Sequence, residues 1–147
     1  MQNRLPPWFK QELPGKDILR KGERLKALGI NTVCQEARCP NLNSCFNKGR
    51  LTFMILGDSC TRSCRFCAVD KADSRQLSND RQEPRRIAQT VRDMGLNYVV
   101  ITSVTRDDLV DGGAQAFAST ISLIRSFKKS AKVEEPTRTT SGSPPGK

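Results

Sequence analysis

The chain has 147 residues, of which 36% are apolar, and 25 Lys and Arg against 15 Asp and Glu give a net charge of +10. This length predicts one domain, and the longest purely apolar run, Phe53–Leu56, is far shorter than the roughly 20 residues that a membrane-spanning helix needs. Residues 1–10 hold two prolines and no continuous apolar stretch, so we expect no secretory signal and a cytoplasmic location.

The predicted elements begin with a short helix in the polar lead-in. It runs from about Asp17, a candidate N-cap, to Leu28, and Gly29 ends it. Residues 34–48 hold three cysteines with Pro and Asn between them, and we predict an ordered loop there.

Two similar units follow. Thr52–Leu56 and Tyr98–Thr102 are short apolar runs typical of strands in a parallel sheet. A helix is predicted after each, one beginning near Pro84 and ending at Gly95, the other with Phe117 and nearby isoleucines on one face. This alternation predicts βαβ units whose right-handed crossovers place both helices on one side of the sheet and both strand-end loops at one edge. Active sites lie at that edge in α/β folds.

Residues 126–147 differ in composition from the rest. Ser, Thr, Pro, Gly and Lys dominate, and five basic against two acidic residues give this stretch a charge of +3. We predict a disordered basic tail there. The chain then divides into an N-terminal extension (1–51), two βα units (52–125) and this tail.

The basic residues of the whole chain are scattered, with no run of five or more, and aromatic residues are few. This pattern favours a basic solvated surface, and a surface for an acidic protein partner, over a nucleic-acid interface. We therefore expect neither nucleic acid nor a membrane among the partners.

The six cysteines form two groups of three. They are Cys34, Cys39 and Cys45, spaced C-x4-C-x5-C, and Cys60, Cys64 and Cys67, spaced C-x3-C-x2-C. The chain has no histidine, which excludes histidine metal ligands, histidine general bases and Cys–His nucleophile pairs. A structural zinc site takes four ligands, and neither group supplies four.

A cubane 4Fe–4S cluster suits three cysteines better, because three thiolates hold three irons and leave the fourth open to another ligand. An open position on a metal is what permits chemistry as well as electron transfer. Zinc, unrelated buried cysteines and disulfides remain alternatives, although disulfides require an oxidising compartment for which the sequence has no signal.

The segment Cys60-Thr61-Arg62-Ser63-Cys64-Arg65-Phe66-Cys67 resembles the CxxxCxΦC motif of radical S-adenosylmethionine (SAM) enzymes, with Phe66 as the aromatic residue. The segment from Cys34 through Pro40 to Cys45 resembles the auxiliary-cluster motif of the lipoyl synthase family. Further similar segments are Thr52–Asp58, Tyr98–Ser103, Arg106–Leu109 and Asp111–Gly113.

The resemblance implies an α/β fold, namely a partial radical-SAM TIM-type barrel of about two βα units with an N-terminal cysteine-rich extension. It implies that Cys60, Cys64 and Cys67 carry a 4Fe–4S cluster that binds and cleaves SAM. It also implies that Cys34, Cys39 and Cys45 hold a second, auxiliary 4Fe–4S cluster, which supplies the two sulfurs and is consumed.

The implied reaction inserts two sulfurs at carbons 6 and 8 of a protein-bound octanoyl group. The implied partners are octanoylated lipoyl carrier domains of 2-oxoacid dehydrogenase complexes or the glycine cleavage H protein, with ferredoxin or flavodoxin as electron donor. An unactivated C–H bond has no acidic proton, so the missing histidine is no obstacle.

The chain departs from this family in length, which is about half of the family's, and it lacks the family's C-terminal Arg-Ser-Ser-Tyr motif. We therefore expect a truncated chain that is inactive alone, and the alternative is a non-catalytic iron–sulfur or zinc-binding fragment. Two roles stay open for Phe66, which can pack on the adenine of SAM or in the core. Cofactor binding, substrate binding and turn formation stay open for the polar residues after the second strand. They are Thr102, Ser103, Arg106, Asp107 and Asp108.

Overall fold

A sheet of mainly parallel strands organises the part of the chain that this computed structural model describes, which is Pro6, Lys10 and residues 14–72 and 80–135. The elements in chain order are α1 (Lys16–Ala27), β1 (Asn31–Thr32), α2 (Val33–Glu36), α3 (Leu42–Asn47), β2 (Arg50–Ile55), β3 (Ser59–Cys60), β4 (Asp70–Lys71), α4 (Glu83–Asp93), β5 (Tyr98–Ser103), α5 (Ala114–Phe127) and β6 (Lys132–Glu134). Within these residues the main sheet has the order β1-β2-β5-β6, and β3 and β4 form a separate parallel pair.

The centre of the sheet is the parallel pair β2 and β5, as the two apolar runs predict. Arg50 lies opposite Tyr98, and Phe53 lies opposite Ile101, so the register is unbroken over six residues. Phe53 and Ile101 are both 0% exposed because their side chains are enclosed in the core. Helices α4 and α5 pack against each other, as right-handed crossovers require. The predicted α/β class with a parallel sheet is confirmed.

The N-terminal helix begins one residue earlier than expected and without the predicted cap. Gly15 occupies the N-cap position and no side chain bonds to the free N–H groups there, whereas Asp17 lies inside the first turn. A carboxylate in the first turn still interacts favourably with the helix dipole. Gly29 follows the helix with φ of 63°, which glycine adopts at little cost.

The prediction of a loop over residues 34–48 is wrong, because two short helices fill much of it. The Thr32 hydroxyl oxygen accepts a hydrogen bond from the Gln35 N–H at 3.3 Å and caps α2, while α3 buries Phe46. Both helices are too short to show an apolar period in the sequence. β1 pairs antiparallel with β2, which attaches this cysteine-rich segment to the sheet.

The predicted irregular tail from residue 126 is also wrong at its start. Helix α5 continues to Phe127, and β6 then pairs parallel with β5, with Val133 opposite Val99. The Lys132 N–H donates to the Asn97 carbonyl at 2.9 Å, so the strand is held by main-chain bonds that a polar composition does not reveal. The described residues therefore hold one parallel strand more than two βα units. The rest of the predicted tail, 136–147, lies outside the described residues.

None of the helices in the described ranges combines the length and the apolar character that crossing a bilayer requires.

Candidate functional site

The first cysteine loop begins at a left-handed turn where β2 ends. Leu56 has φ of 71° and Gly57 has φ of 101°, so the chain turns sharply away from the sheet. The Leu56 N–H donates to Oε2 of Glu83 at 2.9 Å, and the Leu56 carbonyl accepts from Nη1 of Arg106 at 3.4 Å. Both backbone polar groups of this turn are therefore held by buried side chains.

The loop that contains Cys60, Cys64 and Cys67 is closed at its base. β3 carries Cys60 and pairs with β4, which follows the last of the three cysteines, so a small two-stranded sheet brackets the motif. The Cys67 N–H donates to the Cys64 carbonyl at 3.2 Å and forms a turn between these two residues. Short spacing and closure together keep the three thiols on one compact segment.

A second loop, which follows β5, ties the cysteine loop to the sheet. The Thr61 N–H and hydroxyl donate to the Thr105 carbonyl at 3.2 and 3.0 Å. The Arg62 guanidinium donates to both carboxylate oxygens of Asp107 at 3.0 Å each. The two loops meet at one edge of the sheet, as the alternation of strands and helices predicts.

The environment of Cys60 favours the thiolate, which is the form that binds metals. Partial burial raises the pKa of this thiol. The backbone N–H groups of Arg62 and Thr105, which donate to Sγ at 3.5 and 3.3 Å, and the charge of Lys71 outweigh that effect, so the pKa of Cys60 lies below its ordinary value.

The second cysteine group lies on α2, α3 and the turn between them. The Cys39 N–H donates to the Cys34 carbonyl at 3.0 Å, and the Cys45 N–H donates to the Asn41 carbonyl at 3.0 Å. Burial raises the pKa of Cys34, and the charges of Cys39 and Cys45 raise it further against hydrogen bonds from Thr52 that lower it. The three thiols therefore lie near enough to act on one another electrostatically.

The two cysteine segments face each other across shared cavities. One of about 450 Å³ is lined by Glu36 and Arg38 from the first segment and by Ala68 and Asp70 from the second. A larger one of about 570 Å³ extends along the Gly57 turn and shares Glu36 and Asp70 with it. Both cavities have mainly polar linings, and none of the described cysteines lines either of them.

The donor chemistry of both groups fits a thiolate-ligated cluster. All six cysteines are free thiols, and Cys64 is exposed at the loop surface. In the part of the chain that the structure describes, no three Cys, Asp or Glu side chains are gathered closely enough to hold a single metal ion. The segments thus supply the ligands that a cluster needs, but their sulfurs do not converge on one point.

The other predicted site residues are Phe66 and the polar residues at the end of β5 and after it. Phe66 is 94% exposed, which excludes a core role and leaves it available to a cofactor. Thr102 and Ser103 end β5 at the site edge. Arg106, buried at 2% exposure, binds both oxygens of Asp108 at 2.8 and 2.7 Å. Asp107 and Asp108 are the central residues of a turn in which the Leu109 N–H donates to the Arg106 carbonyl at 3.1 Å, as expected. Asp111 has a further role, because its carboxylate accepts from the Gly113 and Gln115 N–H groups at the start of α5.

Sequence analysis missed Glu83, Thr61 and Thr105. Glu83 stands in the first turn of α4, where an acidic residue is ordinary, so nothing marked it as the partner of a turn 27 residues away. The threonines act through backbone and hydroxyl contacts between loops 44 residues apart. The only feature of the sequence that could have pointed to these site residues is a polar residue next to a cysteine motif.

The contribution of Glu83 to the free energy of unfolding should fall as the pH rises. Burial raises its pKa above the ordinary value of 4.5, more than the Leu56 and Gly57 N–H groups and the Arg86 charge lower it. Because the pKa of Glu83 is higher in the folded state, the protonated carboxyl stabilises the fold. This stabilisation is fully present below the ordinary pKa and is lost as the pH rises through the folded-state pKa.

Urea unfolding from about pH 4 to pH 8 checks this, with Glu83→Gln as the comparison. Wild-type stability should decline relative to the variant across that range. Asp108, whose pKa is lowered by its hydrogen bond from Arg106, is common to both proteins and cancels in the difference. Asp80 does not cancel in this way, because its charge raises the pKa of Glu83 in the wild type. Parallel pH profiles would contradict the prediction.

The fold and the cysteine loop define a class. The chain belongs to the radical SAM superfamily, whose family model matches residues 54–143. That match includes β6 and extends to residue 143.

Within that class its relatives are lipoyl synthases. The lipoyl synthase of Shewanella oneidensis is 54% identical over 133 residues, which cover 89% of this chain and 41% of the relative. Those of Yersinia enterocolitica and Yersinia pestis are each 52% identical over the same shares. The chain thus spans 41% of the length of the curated relatives it matches.

Proposed function

We propose that this chain supplies the two cluster-binding segments of a lipoyl synthase-type sulfurtransferase. The observation that supports it most is the loop of Cys60, Cys64 and Cys67, closed by β3 and β4 and tied to the strand edge in a chain homologous to lipoyl synthases. These three cysteines would hold one 4Fe–4S cluster, and Cys34, Cys39 and Cys45 would hold a second.

When bound, a 4Fe–4S cluster with an open iron supplies the coordination site and the electron for reductive cleavage of SAM. The chain's own residues position that site. The Arg62 and Thr105 N–H groups donate to the Cys60 sulfur and favour its anionic form. Phe66, exposed beside Cys67, provides an apolar surface on which the adenine of SAM can pack.

The proposed reaction inserts sulfur at carbons 6 and 8 of an octanoyl chain, with both sulfurs supplied by the sulfides of the cluster that Cys34, Cys39 and Cys45 would hold. Glu36 and Arg38 of that segment line the same cavity as Asp70 beyond Cys67, so the two cysteine segments border one polar space. No acid–base residue is required, because the 5′-deoxyadenosyl radical from SAM cleavage would take each hydrogen from an unactivated carbon as an atom.

The proposed partners are octanoylated lipoyl carrier domains of 2-oxoacid dehydrogenase complexes or glycine cleavage H protein, with ferredoxin or flavodoxin as reductant, in the cytoplasm. The net charge of +10 favours encounter with acidic partners of this kind. The sequence covers less than half of its relatives, and we propose that these 147 residues bind the clusters without completing sulfur insertion alone.

Anaerobic reconstitution of the full chain with iron and sulfide tests the proposal. We expect two clusters, hence about eight irons and eight sulfides per chain, and formation of 5′-deoxyadenosine after addition of dithionite and SAM. Clusters without 5′-deoxyadenosine would favour the alternative of a non-catalytic iron–sulfur fragment. Bound zinc without sulfide would overturn both iron–sulfur readings.

A further inference from the structure

Three separate elements converge on Leu56, the residue at which the chain leaves β2 for the cysteine loop. Leu56 is buried and adopts φ of 71°, a left-handed conformation that a side chain with a Cβ normally avoids. A residue of this kind keeps such a conformation only where its surroundings enforce it. The surroundings here are α4, the loop after β5 and the first residue of α5.

The contact from α4 is the carboxylate of Glu83. This side chain is 6% exposed, and its Oε2 accepts the Leu56 N–H at 2.9 Å. Burying a carboxylate is unfavourable unless hydrogen bonds compensate it. Its compensation here comes from the turn itself, so the carboxylate and the turn stabilise each other.

The contact from the loop after β5 is Arg106. Its Nε and Nη2 are held by the two oxygens of Asp108, which leaves Nη1 directed at the Leu56 carbonyl, 3.4 Å away. A bidentate pair fixes the plane of a guanidinium. Because the plane is fixed, Nη1 points towards the Leu56 carbonyl, and Asp108 therefore acts on the turn through Arg106.

The contact from α5 is steric. Gly113 is the N-cap of α5 with φ of 93°, and a Cβ built there would lie 2.3 Å from Cδ1 of Leu56. Because Gly113 has no side chain, the Leu56 side chain can occupy this space. Backbone bonds on two sides and side-chain packing on a third leave this residue little freedom.

We propose that Glu83, the Arg106–Asp108 pair and Gly113 form a clamp on Leu56 that positions the Cys60–Cys67 loop at the strand edge. Three residues separate Leu56 from Cys60, so the direction of the turn determines whether Cys60 reaches the Thr105 N–H. Among the contacts described, none of the clamp residues bonds to a cysteine sulfur, so we regard them as positioning residues. The inference rests on the proposed function, since the loop matters chemically only if it carries a cluster.

Hydrogen exchange of the cluster-free full chain, followed by mass spectrometry, tests the clamp directly. In Glu83→Ala, amides of residues 56–67 should exchange at least tenfold faster than in wild type, while those of β5 keep their rates. Glu83→Gln should restore much of the protection, because its amide oxygen can still accept the Leu56 N–H. The matched control is Asp93→Ala, which removes another carboxylate of α4 that pairs only with exposed Arg92 among the contacts described.

The second measurement is cluster uptake. Under limiting iron, the Glu83→Ala chain should reach half-occupancy more slowly at the Cys60–Cys67 loop, and the shift of its electron paramagnetic resonance signal on SAM addition should be diminished. Unchanged exchange of 56–67 in a folded Glu83→Ala chain would overturn the clamp, as would equal acceleration throughout the sheet. If Glu83→Ala does not fold, Arg106→Lys decides by the same exchange comparison, because it removes the Nη1 contact to the Leu56 carbonyl while Glu83→Gln serves as the reference that keeps the turn held. Absence of iron uptake by wild type would overturn the proposed function, whereas the exchange result judges the clamp separately.

Discussion

Replacing Cys64 with alanine should reduce 5′-deoxyadenosine formation to background without lowering the stability of the fold. Cys64 is exposed, so its removal costs no packing in the core. Its loss leaves two thiolates where a cluster with one open iron needs three. Iron should fall to about four per chain, which is the content of the auxiliary group alone. Iron analysis, product chromatography and urea unfolding of the reconstituted chain measure the three quantities.

The contrasting variant is Cys45→Ala in the other group. It should lose a similar amount of iron but keep 5′-deoxyadenosine formation, because the proposed site of SAM cleavage is intact. The pair of variants assigns SAM cleavage to one group on grounds other than resemblance. If Cys64→Ala forms 5′-deoxyadenosine as wild type does, Cys64 is not a ligand of the cluster that cleaves SAM.

The parts of the fold that could be predicted are those encoded by neighbouring residues. The runs around Phe53 and Val99 are apolar over several positions, and their pairing follows from the helices between them. The cysteine groups are visible because ligand spacing is local. α2 and β6 are not predicted because elements of four and three residues show no periodicity, and β6 in addition is held by main-chain bonds to distant residues of β5.

The site shows the same division. The proposed ligand residues can be predicted from spacing, but the residues that position them cannot, because those contacts join positions far apart in the chain. Arg106 and Leu56 are 50 residues apart, and the sequence marks neither as the other's partner. The positive φ of Leu56 was especially inaccessible, because a leucine after a strand ordinarily extends the strand. Such local exceptions are expected where a site imposes its own geometry.

Replacing Gly113 with alanine should destabilise the fold by about 2–5 kcal/mol, from two separate causes. Alanine at φ of 93° is strained, which costs about 1–2 kcal/mol, and its Cβ would collide with Cδ1 of Leu56 in a buried site, which costs about 1–3 kcal/mol more. Gly112→Ala is the matched control, because Gly112 also has a positive φ, of 59°, but no heavy atom lies within 4 Å of its added Cβ. That variant should show the strain alone, measured by urea unfolding.

A double-mutant cycle with Leu56→Ala separates the collision from the strain. Leu56→Ala alone removes buried packing and should cost about 2–5 kcal/mol, but it also vacates the space into which the new Cβ of Gly113→Ala points. The double variant should therefore be more stable than the sum of the single effects by about 1–3 kcal/mol. In the double variant of Leu56→Ala and Gly112→Ala, the destabilisations of the two single variants should simply add. If the destabilisations of Leu56→Ala and Gly113→Ala also add, the Leu56 side chain moves away from the new Cβ without cost. The steric part of the clamp would then be absent, while the hydrogen bonds from Glu83 and Arg106 would still hold the turn.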